Sequence, residues 1–152
     1  MITQIFVYGT LKRGQCRDIL WPCDPIAVIP AMTRGTLYDR QDYPAMTVGQ
    51  DLVAGECWRF REQDIASVLR TLDEIEGANQ PGTPDLYHRV EVDCWQCSEA
   101  DVAGRLRRLK VVGRAFAYHY ARDIAEDGFS QISPTREGQT VCWPPLDRPE
   151  IP

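Results

Sequence analysis

Apolar positions along this chain recur with two periods, and most of the chain reads as β-structure. Ile5-Phe6-Val7 is a short apolar run that meets Tyr8-Gly9-Thr10-Leu11, consistent with a buried strand entering a turn. Met32 to Tyr38 is β-leaning, the polar turn Asp39 to Asp42 follows, and Tyr43 to Val48 is the next segment. Gly49-Gln50-Asp51 predicts a further turn before the strand Leu52 to Phe60. Beyond residue 85, Leu86 to Trp95 alternates cleanly and Val111 to Tyr120 reads as one more strand. Pro22, Pro25 and Pro30 exclude a long helix before Ala31, leaving a short helical turn between Gln15 and Trp21. Several short strands separated by turns predict antiparallel or mixed β-structure, a small barrel being one such arrangement.

The helical period is clearest between Glu62 and Glu76. Ile65, Val68, Leu69, Leu72 and Ile75 recur at helical spacing, Glu62 and Asp64 suit the first turn, and Gly77 is placed to stop the helix. At ~100° per residue, Glu76 falls in the middle of the apolar stripe, Glu74 nearly opposite, and Asp73 at its border. A carboxylate in that position is buried, paired or at work, unless it lies past the last regular turn and faces water. Burial and the negative end of the helix dipole both raise a carboxyl pKa, the condition that suits a glutamate for proton transfer near neutral pH. A second helical spacing, Val102, Leu106 and Leu109 behind a capping-box pattern at Ser98 and Asp101, reads either as a short helix or as a decorated connection between strands.

The turn after Val7 is the other candidate for chemistry. A chain turning at Gly9 presents the N–H groups of Gly9, Thr10 and Leu11 to one side, where they favour an anion or a developing oxyanion. Glycine at that point permits positive φ and a close ligand. The same residues also suit an ordinary exit from strand to loop.

Composition narrows the function classes. The length of 152 residues suits one domain, with a core over about 4–122 and a proline-rich, extended C-terminal segment from about 134 that lies along the surface with Trp143. A net charge of -5, with arginines scattered, argues against a nucleic-acid partner. No apolar run approaches the ~18 residues of a membrane span, and the N-terminal run stops at Leu11 with no signal-peptide core behind it. The expected compartment is the cytoplasm. Of the six cysteines, Cys94 and Cys97 form a single CxxC without the second pair or spaced histidines of a zinc site, so buried or incidental thiols are expected and no metal. His88 and His119 flank strand tyrosines, are expected to face outward, and are assigned no role.

Taken together, an ordered set of short motifs resembles the γ-glutamylcyclotransferase-like superfamily (the AIG2-like and butirosin-pathway cyclotransferase group). The set begins with Val7-Tyr8-Gly9-Thr10-Leu11, Arg34-Gly35-Thr36-Leu37-Tyr38, Tyr43-Pro44-Ala45 and Val53-Ala54-Gly55-Glu56. It continues with Leu72-Asp73-Glu74-Ile75-Glu76-Gly77, Tyr87-His88-Arg89-Val90 and Ala117-Tyr118-His119-Tyr120. The resemblance implies an α+β fold, a small mixed β-barrel flanked by helices. It implies that Glu76 is the catalytic acid/base and that Tyr8, Gly9, Thr10 and Leu11 line the cavity beside the γ-glutamyl group. Tyr87 and Tyr118 match further cavity positions, and either equally suits a packed core aromatic whose hydroxyl finds a local partner.

The implied reaction is an intramolecular acyl transfer. The α-amine of a small γ-glutamyl amide attacks its own γ-carbonyl, closing 5-oxoproline and releasing an amine or amino acid, without cofactor or metal. The rival expectation is a non-catalytic small-molecule binding domain using the same cavity, since fold does not fix function. The chain departs from the family pattern in Cys16-Arg17-Asp18, where relatives often carry Asn or His, in a longer segment Ser98–Lys110, and in its proline-rich tail. These leave the substrate open among γ-glutamyl amino acids, amine conjugates and larger intermediates. Nothing in the sequence sets the oligomeric state.

Overall fold

The apolar run at the N-terminus forms β1 (Gln4–Val7), all four residues of which are buried. The computed structural model describes residues 1–96, 110–136 and 139–145. After a 3-10 turn at Asp18–Leu20 come β2 (Ala27–Asp39), β3 (Pro44–Arg59), α1 (Glu62–Glu76), β4 (Tyr87–Gln96) and β5 (Val111–Tyr120). Two short strands follow, β6 (Ser130–Ile132) and β7 (Thr140–Val141).

Five strands close on themselves. Their order is β2-β4-β5-β1-β3, and β3 pairs back onto β2 to complete the ring; β6 lies on β2 and β7 on β3. Most pairings are antiparallel, but β1 runs parallel to β5 through Ile5 and Phe116, and β7 runs parallel to β3. The fold is thus a small mixed α+β barrel. Alternation on the strands sends side chains to two cores. Phe6, Ala31, Val53, Cys57, Cys94 and Ala117 come from all five ring strands and fill the barrel interior. On the outer wall, Ile5 and Val7 pack with Tyr87, Tyr118 and the stripe Ile65, Val68 and Leu72 of α1.

α1 spans the expected residues, and among the described residues it is the one α-helix. Gly77 ends it in the left-handed conformation, φ 64° and ψ 39°, a geometry that glycine adopts without strain. The N–H of Ala78 then donates to the carbonyl of Asp73 at 2.8 Å, and that of Leu86 to the carbonyl of Gly77 at 2.9 Å. The intervening loop therefore returns to the end of α1 and starts β4 beside Glu76.

Four expectations change. The segments from Met32 to Phe60 are not several short strands: β2 and β3 have 13 and 16 residues and form one long hairpin. The Gly49-Gln50-Asp51 stretch does not reverse the chain. It lies where the register shifts, between the Gly35–Asp51 and Thr36–Thr47 pairs, so β3 bulges and pairing resumes beyond it. Trp143 is buried rather than laid on the surface, and its indole N–H donates to Asp39 Oδ1 at 2.8 Å. His119 is half-buried, with Nε2 enclosed and without a hydrogen-bond partner among the described residues, whereas His88 faces outward and meets Asp85 at 2.9 Å. Cys97, the helical pattern within Ser98–Lys110 up to residue 109, and the tail from residue 146 lie outside the described residues. No helix among the described residues is long and apolar enough to cross a membrane.

Candidate active site

The end of β1, the C-terminus of α1 and the starts of β3 and β4 meet around a cavity of about 300 Å³. Tyr8, Gly9, Thr10 and Leu11 form one wall, and Glu76, Tyr87 and Tyr118 another. All seven residues singled out in the sequence are therefore brought together. Arg17, Tyr43, Pro44 and Leu86, which the sequence reading did not single out as site residues, also line it, together with Phe6, Val7 and Ile75. Pro44 and Tyr43 belong to a motif already noted, but nothing in the local pattern aimed them at Glu76. Arg17 caps the start of the 3-10 turn, where no periodicity assigns a side chain to a face.

Glu76 is the chemically distinctive group. Its side chain is partly accessible because it faces the cavity, yet protein surrounds it closely enough that burial pushes the carboxyl from 4.5 up to about 7. The charge of Arg17 acts in the opposite direction and only partly offsets that push. Among the described residues the Glu76 carboxylate receives no hydrogen bond and makes no ion pair. A glutamate held near neutrality in a cavity can take up or give a proton at physiological pH.

The tyrosines are both cavity walls and structural ties. Tyr8 Oη donates to the carbonyl of Tyr118 at 2.7 Å, which fixes the start of the loop against β5. Tyr87 Oη donates to the carbonyl of Pro44 at 2.8 Å, and Tyr118 Oη to Asp73 Oδ1 at 2.7 Å. The alternatives of cavity residue and anchored core aromatic are both realised in each. Burial raises the pKa of all three phenols, so they remain protonated donors. Asp73 also accepts from Arg89 Nη1 at 2.9 Å and from Asn79 Nδ2 at 3.2 Å. Its place at the border of the helical stripe was legible, but its three partners were not.

Gly9 differs in backbone conformation from what its freedom of φ suggested. It does not occupy positive φ. Instead the ring of Pro44 lies against it, and a Cβ there would stand 2.5 Å from Pro44 Cγ and 2.9 Å from Cδ. The glycine is needed for close approach, and that approach brings the β1 loop to the β3 wall. The carbonyls of Gly9 and Thr10 accept from Lys12 at 3.1 Å and Arg17 at 2.9 Å. Among the described residues, the N–H groups of Gly9, Thr10 and Leu11 donate to no side chain and to no turn or loop carbonyl.

Comparison with known proteins bears on the family and the fold. The model of the family described as gamma-glutamyl cyclotransferase, AIG2-like, matches residues 5–137. An AIG2-like protein from Mus musculus is similar in structure, with 24% identity, TM-score 0.52, and 82% of this chain covering 81% of that one. YkqA from Bacillus subtilis is similar over 87% of this chain at 19% identity and TM-score 0.53, but this chain spans only 38% of its length. At those identities the likeness concerns the fold alone. No curated protein matches the chain.

Proposed function

The chain belongs to the gamma-glutamyl cyclotransferase, AIG2-like family, and on that premise we propose that it is a cofactor-independent cyclotransferase acting on a small γ-glutamyl amide with Glu76 as its acid/base. The substrate enters as an α-ammonium. Glu76 removes a proton, and the freed amine attacks the γ-carbonyl carbon of the same molecule. As the new C–N bond forms and the old amide C–N bond breaks, Glu76 returns that proton to the departing nitrogen and, ionised again, relays the second proton of the attacking nitrogen to it, so the products are 5-oxoproline and an amine or amino acid that leaves as its ammonium. Both reacting groups belong to the substrate, and the cavity contributes the folded geometry that brings them together. The N–H groups of Gly9, Thr10 and Leu11 hold the substrate and can face the oxygen on which negative charge develops. Tyr8, Tyr87 and Tyr118 shape the pocket around the γ-glutamyl chain.

The observation that carries this reading is a carboxylic acid poised at about 7, without a partner among the described residues, in a cavity walled by the glycine loop. A simple binder has no need of an unpaired carboxylate there. The test is release of 5-oxoproline from a panel of γ-glutamyl amino acids and amines by wild type and Glu76→Gln. Release by wild type and none by the variant is expected. Comparable release by the variant would remove Glu76 from the mechanism, and binding without release by wild type would favour a binding protein.

A further inference from the structure

The main-chain N–H of Arg17 donates to the carbonyl of Thr10 at 2.9 Å, which folds the loop back and sets the Arg17 side chain on the wall of the cavity. Arg17 and Glu76 are the charged residues lining it, among the described residues. Other partly buried arginines are engaged: Arg40 with Asp42, Arg59 with Gln4, and Arg89 with Asp73. Arg13, Arg61, Arg70 and Arg136 have no such pairing but stand exposed in solvent. Arg17 alone among the described arginines is half-buried and without a hydrogen-bond or ion-pair acceptor. Its charge acts on Glu76 across the cavity, with no hydrogen bond or ion pair between them.

A guanidinium withdrawn from water without an acceptor is costly, and its planar fork of donors matches a carboxylate. A cavity with one anionic and one cationic wall accepts a molecule that carries an ammonium and a carboxylate. We propose that Arg17 binds a carboxylate of the substrate while Glu76 faces its amine, making Arg17 the residue that selects for substrates bearing that carboxylate. This rests on the cyclotransferase reading given above. Two carboxylates meet the description: the α-carboxylate of the γ-glutamyl group and that of a departing amino acid.

Three compounds separate them: γ-glutamylalanine, the same compound with the alanine carboxylate as a primary amide, and the same compound with the glutamyl α-carboxylate as a primary amide. Wild type, Arg17→Gln and Arg17→Lys are compared for kcat and KM, with thermal melts to establish that each variant is folded. Arg17→Gln is expected to raise KM for γ-glutamylalanine by on the order of tenfold or more, with Arg17→Lys in between. The penalty should vanish for whichever amide has lost the carboxylate that Arg17 holds. Loss of the cation should also move the acidic limb of the pH–rate profile upward, because Arg17 favours ionised Glu76. An unchanged KM for all three compounds in Arg17→Gln would overturn the proposal. If wild type releases no product, the cyclotransferase reading fails separately, and calorimetric titration of the same compounds decides on Arg17: weaker binding of the carboxylate forms by Arg17→Gln supports it, and equal binding or none by wild type overturns it.

Discussion

Asp73 and Glu76 stand one helical turn apart on α1, and the structure surrounds their carboxylates in opposite ways. Asp73 accepts from Tyr118 Oη at 2.7 Å, Arg89 Nη1 at 2.9 Å and Asn79 Nδ2 at 3.2 Å. Glu76 accepts from no described residue and is held at about 7 by burial. Anchored by three donors, the first holds the wall in place. The second is left free to change its proton.

The rate should therefore follow the ionisation of Glu76. In the proposed role of general base Glu76 works in its deprotonated form, so kcat/KM is expected to rise with pH through an apparent pKa of about 7 and then level. Initial rates between pH 5 and pH 9 check this. A limb centred near 4.5, the ordinary value, would show that burial does not act on the working group.

Stability should move the other way. Folding raises the Glu76 carboxyl from 4.5 to about 7, so the folded chain holds this proton more tightly than the unfolded one between those values. The contribution is whole below 4.5 and is lost as pH rises through about 7. Glu76→Gln removes the titration and should gain roughly 2 kcal/mol on wild type between pH 5 and pH 8, somewhat less than the full shift because the cavity admits water. Urea unfolding of both proteins at the two pH values measures it.

Removing Asp73 should act through structure first. Asp73→Ala leaves Arg89 and the Tyr118 hydroxyl without their acceptor and should cost about 3 kcal/mol in urea unfolding. Because the carbonyl of Tyr118 also receives Tyr8, turnover should fall as well, while the pH limb assigned to Glu76 stays near its wild-type position. A shift of that limb by more than a unit would mean the two carboxylates are coupled.

Gly9→Ala tests the close approach of the two walls. The added methyl meets the Pro44 ring at 2.5 Å, and a proline ring cannot swing aside. Displacement of the loop should cost roughly 2 kcal/mol and lower kcat/KM by at least tenfold. Wild-type activity in this variant would show that the loop position is not critical.

Much of this arrangement was legible because it rests on periodicity. The stripe of α1, the stop at Gly77 and the inward place of Glu76 follow from helical spacing, and β4 and β5 from clean alternation. The long hairpin was not legible, since a glycine-containing bulge at Gly49 has the composition of a turn and only pairing with β2 distinguishes them. Gly9 was noticed for its N–H and its freedom of φ, but not for its contact with Pro44, which links positions 35 residues apart and leaves no local trace. Arg17 and the partners of Asp73 were missed on similar grounds: each depends on which segments the closed ring brings together.

The parallel contact of Ile5 with Phe116 also orders the protein in time. The hairpin of β2 and β3 and the helix after it make sequence-local contacts, whose closure costs little entropy, and they are synthesised before β5 exists. The glycine loop emerges among the first dozen residues but gains its last wall, Tyr118, only when β5 docks against β1. A nascent or partly folded chain can thus carry most of its secondary structure while β1 has an open edge and the cavity has no floor. A completed cavity is a signal that the two ends of the barrel have found each other.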